Sequence, residues 1–536
     1  MTSRRKKLKL RLDRTKFSPI SLTLLVLTFF YCYSVFCQTS SVSLDYAFES
    51  SLEPLIYNRS NKIHTSIRPF LRSDFNDIFN CDSVYAQQRS VFSKISEEKQ
   101  HPNFNVNLLS LASGGHNFSD SSHRISEGGI GVGAEFFLSK SLFINASYFS
   151  SGAVVPDYFA DYIDNANVVP GEGWAYYYNK RYNSHKFTGL LSYSLNRLFT
   201  FQIGHGKHFF GDGYRSLLLS DAANNYSFAK LSTDVGKIKY VNLFTALKDY
   251  RSSPIGYQKT PNKYAAMHYL SMYFTEWINL SIFESVVWGG KDTLNQRNFD
   301  VNYLNPIVFY RPVEYAVGSA DNSILGMNLK VSPFKKTHLY GQLVLDEFLL
   351  DSLRSANGWW ANKYGYQIGV KSVDFLLPKL TLQAEYNTVR PFTYSHKRTA
   401  ENYGHQNMSL AHPLGANFKE YVGIVRYNHK NWYTQLKITQ ATFGVDSGVV
   451  NYGGNIFKNY NTRTHETGNY TGQGVSNKLI TAQWRIGYVL HPASNLTVET
   501  EIGYRKSLNE LIGENKNTFI TIGLRTNLGN RYTDFF

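Results

Sequence analysis

Hydrogen-bonding side chains crowd the stretch from Gln202 to Tyr226, where Gly211-Asp212-Gly213 interrupts an aromatic-rich strand. Glycine permits backbone conformations that other residues resist, so the chain can turn sharply at this break. The polar residues that follow are Tyr214, Arg215, Ser220, Asp221, Asn224 and Asn225. A loop of this kind on a rigid scaffold indicates a binding surface. A turn that satisfies its own polar groups would show the same composition.

Sequence motifs for metal or nucleotide chemistry are missing. There is no His-Glu-x-x-His motif, no Walker loop and no zinc-type cysteine pair, and Gly204-His205-Gly206 is not followed by a helix. His205 and His208 fall on opposite faces of a strand, which argues against a shared metal ion. We therefore expect no metal, no cofactor and no nucleic-acid partner.

Two pairs of residues suggest hydrolysis only weakly. Ser220 and Asp221 would need a histidine within reach, and the sequence does not fix one. Asp346 and Glu347 resemble the carboxylate pair of a glycosidase, but adjacent strand residues point to opposite faces. We expect a protein without enzymatic activity, and an outer-membrane hydrolase is the weakest alternative.

The composition is typical of an outer-membrane β-barrel. The 536 residues include 39 Tyr, 37 Phe and 39 Gly but only 3 Cys. Strands of such barrels alternate between lipid and a wet lumen, and aromatic girdles mark both interfaces. We expect the protein in the outer membrane of a Gram-negative bacterium.

Residues 1–37 form a targeting signal. Eight basic residues precede an apolar run from Ile20 to Phe36, and Val35 and Cys37 suit a signal peptidase site. The mature chain would begin at Gln38, and its net charge would fall from +16 to about +9. A transmembrane anchor is the alternative interpretation, although the run is short for a span.

Residues 38–101 lack strand alternation. The stretch Phe75 to Lys99 has a rough apolar stripe at helical spacing. We expect a small, partly helical element on the periplasmic side, which plugs or braces the lumen. An extended arm with little structure is the alternative.

From residue 102 to 536 the period becomes two, which predicts a closed antiparallel barrel of about 16–18 strands. The clearest strands are Leu380 to Thr388, Ile480 to Leu490 and Leu496 to Arg505. The faces opposite their apolar residues carry the charged residues Glu385, Arg485, Glu499, Glu501 and Arg505. Charges of both signs on one face predict a wet lumen.

Short turns alternate with long polar segments at 151–184, 289–322, 389–418 and 441–475. This alternation places the turns in the periplasm and the long loops outside the cell. A last strand over Thr518 to Leu528 precedes Phe535-Phe536. A final strand ending in an aromatic residue is the usual mark for recognition by the barrel assembly machinery.

Several blocks of the sequence resemble the Wzi-type capsule assembly family of outer-membrane barrels, and in particular its gliding-motility, RemB-like branch. They are G-K-H-F-F-G-D-G-Y-R-S-L-L-L-S-D (206–221), Y-L-N-P-I-V-F-Y-R-P-V-E-Y (303–315), G-S-A-D-N-S-I-L-G (318–326), L-Y-G-Q-L-V-L-D-E-F (339–348), V-R-P-F-T-Y-S-H (389–396), L-A-H-P-L-G-A-N-F-K-E (410–420) and L-R-T-N-L-G-N-R-Y-T-D-F (524–535). The resemblance begins near Phe104. It implies about 18 strands with loops filling much of the lumen.

The resemblance also implies a function, which is to hold capsular polysaccharide or exopolysaccharide at the cell surface without enzymatic activity. Its expected partners are that polysaccharide, outer-membrane lipid and lipopolysaccharide, and the assembly machinery. The site residues carried over by position are Lys207, Asp212, Tyr214, Arg215, Asp221, Asn224, Arg311, Glu314, Asp321 and Asn322. These residues could instead hold the lumen together by salt bridges. The alternative function is an outer-membrane porin or substrate-specific channel.

Overall fold

Eighteen antiparallel strands form a closed transmembrane β-barrel, which confirms the predicted fold class and the upper strand count. We label them β1 to β18 in chain order, and the first strand pairs with the last to close the wall. Their bounds are Phe104–Asn117, Arg124–Phe137, Leu142–Val154, Arg181–Ser194, Phe199–Gly206, Tyr226–Val235, Ile238–Lys248, Asn262–Tyr273, Ile278–Gly289, Asn322–Phe334, Thr337–Leu345, Tyr364–Val373, Leu380–Val389, Phe418–His429, Trp432–Val445, Val475–His491, Leu496–Asn509 and Gly513–Arg525.

The computed structural model describes most of this wall and much of what lies inside it. The described residues are 44, 46–75, 104–119, 124–139, 141–250, 260–290, 298–306, 321–346, 357–491, 494–526 and 528–536. The predicted leader, most of the stretch from 75 to 99, Arg311 and Glu314 lie outside them. In the described residues no helix is long and apolar enough to cross a membrane.

The alternation of side chains agrees with the sequence pattern. In β13 the residues Thr381, Gln383 and Glu385 are buried on the inner face. In β16 and β17 the large apolar residues Trp484 and Ile502 are exposed on the outer face. The outer faces thus form the apolar belt that a lipid bilayer requires.

The connections also follow the predicted alternation. Turns such as 236–237, 335–336 and 430–431 join strands at one end, which we call the turn end. The opposite, outer end carries the long connections 155–180, 290–321, 390–417 and 446–474. By the usual topology of such barrels, the turn end faces the periplasm.

Two helices are described, and both pack inside or above the wall. Helix α1, Tyr46–Ile56, buries Leu52 and Ile56 against Phe70 and Phe75 at the turn end. Helix α2, Asp157–Ala166, lies in the connection between β3 and β4, and the residue that caps its C-terminus, Asn167, has a φ of 58°.

The interior is a packed core where the sequence predicted a wet lumen. Residues 207–225, which we call the interior segment, turn inward from the wall between β5 and β6. Leu217, Leu218 and Leu219 of this segment are fully buried, together with inward apolar residues of the wall such as Phe283 and Val344. The prediction was wrong over this part of the wall because it extended the polar faces of the late strands to all strands.

The final strand ends earlier than the sequence pattern suggests. Strand β18 stops at Arg525, and residues 528–536, which we call the tail, fold back into the barrel. Phe535 is buried, and the ring of Phe536 stacks on Phe159 of α2 with centroids 4.5 Å apart. The expectation of a last strand through Leu528 that ends at the terminal aromatic pair is therefore wrong, because these rings gain more burial inside.

Candidate functional site

Glycine and apolar residues explain why the interior segment leaves the wall. Gly211 has a φ of 149° and its backbone N donates to the Ser66 carbonyl at 2.8 Å. Phe210 stacks on Tyr269 with centroids 4.5 Å apart, and its backbone N donates to the Leu219 carbonyl at 2.8 Å. The segment is thus a compact loop held by its own bridge and by the wall.

Asp212 connects the interior segment to the N-terminal element. Its carboxylate accepts hydrogen bonds from the Thr65 hydroxyl and from Asn328 Nδ2, the latter at 2.8 Å. Lys330 Nζ lies 3.8 Å from the same carboxylate. Burial alone would raise the pKa of Asp212, but Lys330 and these two hydrogen bonds lower it below its usual value.

Arg215 lies at the centre of a buried ionic network. Its Nη2 atom is 2.9 Å from Glu420 Oε1 and 2.9 Å from Asp534 Oδ1, and the Arg215 and Glu420 side chains are each 1% exposed. Lys437 Nζ is 2.7 Å from Asp534 Oδ2, and the Tyr214 hydroxyl donates to that oxygen at 2.9 Å. This network joins the interior segment, the wall and the tail.

A second carboxylate binds the backbone of the same turn. Glu385 accepts hydrogen bonds from the backbone N of Tyr214 at 2.8 Å and of Arg215 at 3.1 Å. The Tyr340 hydroxyl also donates to Glu385 at 3.0 Å. Gly213 is required beside them, since a Cβ there would lie 2.5 Å from Glu385 Oε2.

Asp221 binds the tail from the other end of the segment. Its carboxylate accepts from the Tyr532 hydroxyl at 2.6 Å and from Asn530 Nδ2 at 3.0 Å. Lys207 Nζ donates to the Asp221 carbonyl at 3.1 Å, and Asn224 Nδ2 donates to Gln406 Oε1 at 2.9 Å. All six expected residues of the first block therefore contact protein groups inside the barrel.

The second block is described only in part. Asp321 accepts a hydrogen bond from the Tyr303 hydroxyl at 2.6 Å, and Asn322 Nδ2 donates to the Glu401 carbonyl at 2.9 Å. Both residues are buried near the outer end, apart from the Arg215 network. Arg311 and Glu314 lie outside the described residues, so their expected roles stay predictions.

The candidate catalytic residues have other contacts. The Ser220 hydroxyl donates to the Ala411 carbonyl and is buried. His205 lies on the outer face beside Ser227, while His208 is buried beside Tyr226. Within the described part of the chain no group of three His, Cys, Asp or Glu residues is placed to bind a metal ion.

The inner faces of the late strands carry a second set of charged groups. On the inner faces of β16 and β17, Arg485 Nη2 lies 2.6 Å from Glu501 Oε2, and its Nε lies 3.1 Å from Glu499 Oε1. The side chains of Arg485 and Glu501 are 29% and 16% exposed. These ion pairs are therefore far more accessible than the Arg215 network.

The accessible charges continue along the wall towards β2. Arg531 of the tail forms ion pairs with Glu127 and Glu172, and the side chains of Arg531 and Glu127 are 23% and 21% exposed. Burial would lower the pKa of Arg531, but Glu127, Glu172 and Glu501 raise it above its usual value. Near the turn end, Asn105 Nδ2 donates to Glu135 at 3.5 Å. We call this set of charged groups the charged wall, and its members are Arg485, Glu499, Glu501, Arg531, Glu127 and Glu135.

The sequence predicted the charged wall in part and missed the tail. Arg485, Glu499 and Glu501 fall on the polar faces read from the alternation. Arg531 and Asp534 fall within the quoted block 524–535 but were not selected as site residues, because their partners are distant in sequence.

No family model and no curated protein matches the chain. Among solved structures, it is similar to OprD of Pseudomonas aeruginosa, with 9% identity, a TM-score of 0.43 and coverage of 79% of this chain and 94% of that one. OccAB2 of Acinetobacter baumannii has 11% identity, a TM-score of 0.42 and coverage of 79% and 98%. OccK1 of Pseudomonas aeruginosa has 9% identity, a TM-score of 0.42 and coverage of 79% of this chain and 98% of that one. At these values the likeness concerns the barrel architecture alone.

The expectation that the barrel holds capsular polysaccharide or exopolysaccharide is corrected. The solved structures that resemble the chain are those of outer-membrane proteins such as OprD, and they give no support to capsule assembly or gliding motility. The segment expected to meet the sugar is also enclosed by protein, with Asp212, Arg215 and Asp221 almost fully buried. The likeness of the ordered blocks to the Wzi-type family stays a prediction.

Proposed function

We propose that the protein is a substrate-specific outer-membrane channel for small polar or charged solutes. The observation that carries this proposal is the charged wall, whose ion pairs are accessible inside a closed transmembrane barrel. The interior segment fills much of the interior with buried contacts, and the tail lies between this segment and the charged wall. Permeation would follow the accessible charged groups along the inner faces from β16 to β2.

The positions of these groups support a route along the barrel axis. Glu127 lies three residues from the outer end of β2, and Glu135 lies two residues from its turn end. Arg485 of β16 and Glu501 of β17 lie between Glu127 and Glu135 along the barrel axis. Accessible charged groups are thus available near both ends and in the middle, where a permeating ion needs weak, successive contacts.

The route carries charges of both signs in nearly equal number, because Arg505 and Arg525 also lie on the inner faces of β17 and β18. Arg485 and Arg531 face the carboxylates Glu127, Glu499 and Glu501, and Glu135 adds another. We expect steady single-channel conductance in a planar bilayer, with little preference between cations and anions. A bilayer that stays silent with folded protein would refute the channel.

The double variant Glu499→Gln and Glu501→Gln tests the route itself. We expect its reversal potential in a salt gradient to move towards that of an anion-preferring channel, because Arg485 then lacks its partners. Glu514→Gln is the matched control, since Glu514 lies on the outer face of β18. Equal shifts of the reversal potential in the double variant and in Glu514→Gln would show that solutes do not pass along the charged wall.

The proposal includes the targeting and chemistry expected from the sequence. The leader would be removed so that the mature chain begins at Gln38, which N-terminal sequencing of purified protein tests. The protein would act without enzymatic activity, and the assembly machinery would insert it into the outer membrane.

A further inference from the structure

Four lysines form a row on the lipid-facing side of the barrel, near the outer end of adjacent strands. Lys419 of β14, Lys478 of β16, Lys506 of β17 and Lys516 of β18 each lie within three residues of that end of their strand. They fall in the same alternation as the exposed apolar residues Tyr421, Ile480, Tyr504 and Ile520, so their side chains share the outer face.

The strand register brings these lysines together. Lys506 and Lys516 are direct cross-strand partners, an arrangement that is unfavourable for like charges. Lys478 pairs with Leu508, so it lies diagonally beside Lys506. Across the neighbouring strand β15, Thr442 pairs with both Lys419 and Lys478.

The nearby acids offset only part of this charge. Glu514 lies 2.8 Å from Lys506 Nζ and also contacts Lys516, which holds these two ammonium groups side by side. Glu510 accepts a hydrogen bond from the backbone N of Ser476 at 3.1 Å. Within the described chain no ion pair involves Lys419 or Lys478.

The row lies directly above the apolar belt. Tyr421, Ile480 and Trp484 are exposed on the same outer faces, towards the turn end. A lysine at this boundary can rest its methylene chain on apolar surface and extend its ammonium group to the lipid headgroups. Phosphate groups are the anions present at that level in a phosphorylated lipid.

We propose that the outer face of β14–β18 binds the phosphates of a phosphorylated glycolipid of the outer leaflet. Lys419 and Lys478 supply two ammonium groups on one side. Lys506 and Lys516, held together by Glu514, supply two on the other. The proposal concerns the lipid-facing surface, so it stands independently of solute passage through the interior.

The test uses the full-length protein, purified in a neutral detergent, and native mass spectrometry with added diphosphoryl lipid A. The triple variant Lys419→Gln, Lys478→Gln and Lys506→Gln should lose at least tenfold in the fraction of lipid-bound barrel. The control Lys430→Gln changes a lysine in the turn between β14 and β15, at the opposite end of the same hairpin. It should bind lipid A as the parent protein does.

Three results would overturn the proposal. One is equal lipid A binding by the triple variant and the parent, with both folded as judged by heat-modifiable gel mobility. Another is retention of phosphatidylethanolamine as strong as that of lipid A, which would indicate a general lipid surface. Full competition by millimolar inorganic phosphate would likewise refute a site built for the lipid.

Discussion

Asp534 should control how firmly the tail is held inside the barrel. Its carboxylate is fully buried, 2.9 Å from Arg215 Nη2 and 2.7 Å from Lys437 Nζ. The variant Asp534→Asn keeps the shape but leaves two buried cations with less compensation. Breaking a buried ion pair in this way costs about 3–5 kcal/mol. We therefore expect the ratio of undocked to docked tail to rise at least about 100-fold.

Acid should weaken the same contact. Burial would raise the pKa of Asp534, but Arg215 and Lys437 hold it far below its usual value. A carboxyl group with a depressed pKa in the folded state stabilises it above the pKa of the unfolded chain. The contribution of Asp534 to docking is thus complete at neutral pH and is lost as the pH falls below about 3.9.

The assay is the rate at which a membrane-impermeant maleimide labels a cysteine in the tail. Thr533→Cys places the thiol next to Asp534, in a background where Cys81 is changed to Ser. Thr533 is partly buried in the docked tail, so the labelling rate of the parent is the baseline and a faster rate reports undocking. We expect the rate in Asp534→Asn to exceed that of the parent by a factor of up to about 100.

The matched control is Asp446→Asn, which removes an aspartate that also pairs with a lysine. Asp446 lies 2.7 Å from Lys458 in the long connection between β15 and β16, away from the tail. It should leave the labelling rate of Thr533→Cys unchanged. Equal rates in Asp534→Asn and the parent, with both folded, would show that the Arg215 network does not hold the tail.

Two further substitutions test the turn and the N-terminal helix. Gly213→Ala should lower the free energy of unfolding by about 1–3 kcal/mol, because its Cβ would lie 2.5 Å from Glu385 Oε2. Gly423→Ala should leave the free energy of unfolding unchanged, because no atom lies within 4 Å of the added Cβ. The midpoints of denaturant unfolding of the two variants measure the difference. Burial, opposed by Arg68, raises the pKa of Glu49 to about 7. The free energy that holds helix α1 in place should therefore be largest below pH 4.5, and it should fall by up to about 3 kcal/mol as the pH rises through 7. Hydrogen exchange of residues 46–56 at pH 5 and 8 measures this loss, and Glu49→Gln should abolish the pH dependence.

The wall of the barrel could be predicted because its signal is local. Lipid contact requires apolar residues at every second position, so the local alternation alone predicts that Trp484 and Ile502 face outwards. The interior has no such period. Arg215 meets Glu420 and Asp534 across 205 and 319 residues of sequence, and only the closed barrel brings these groups together. A polar stretch that binds a ligand and one that braces a lumen have the same composition, which is why the interior segment was assigned to sugar binding.

Contacts between distant residues in the interior also constrain how the barrel is assembled. The tail binds both the interior segment and the inner faces of strands on either side of the β18–β1 seam. Once β18 has paired with β1, the wall surrounds the tail and leaves little room for the tail to enter the interior. The seam should therefore close last, after a slow search dominated by high contact order. A variant with a weakened Arg215 network would then accumulate as an inserted but unsealed barrel.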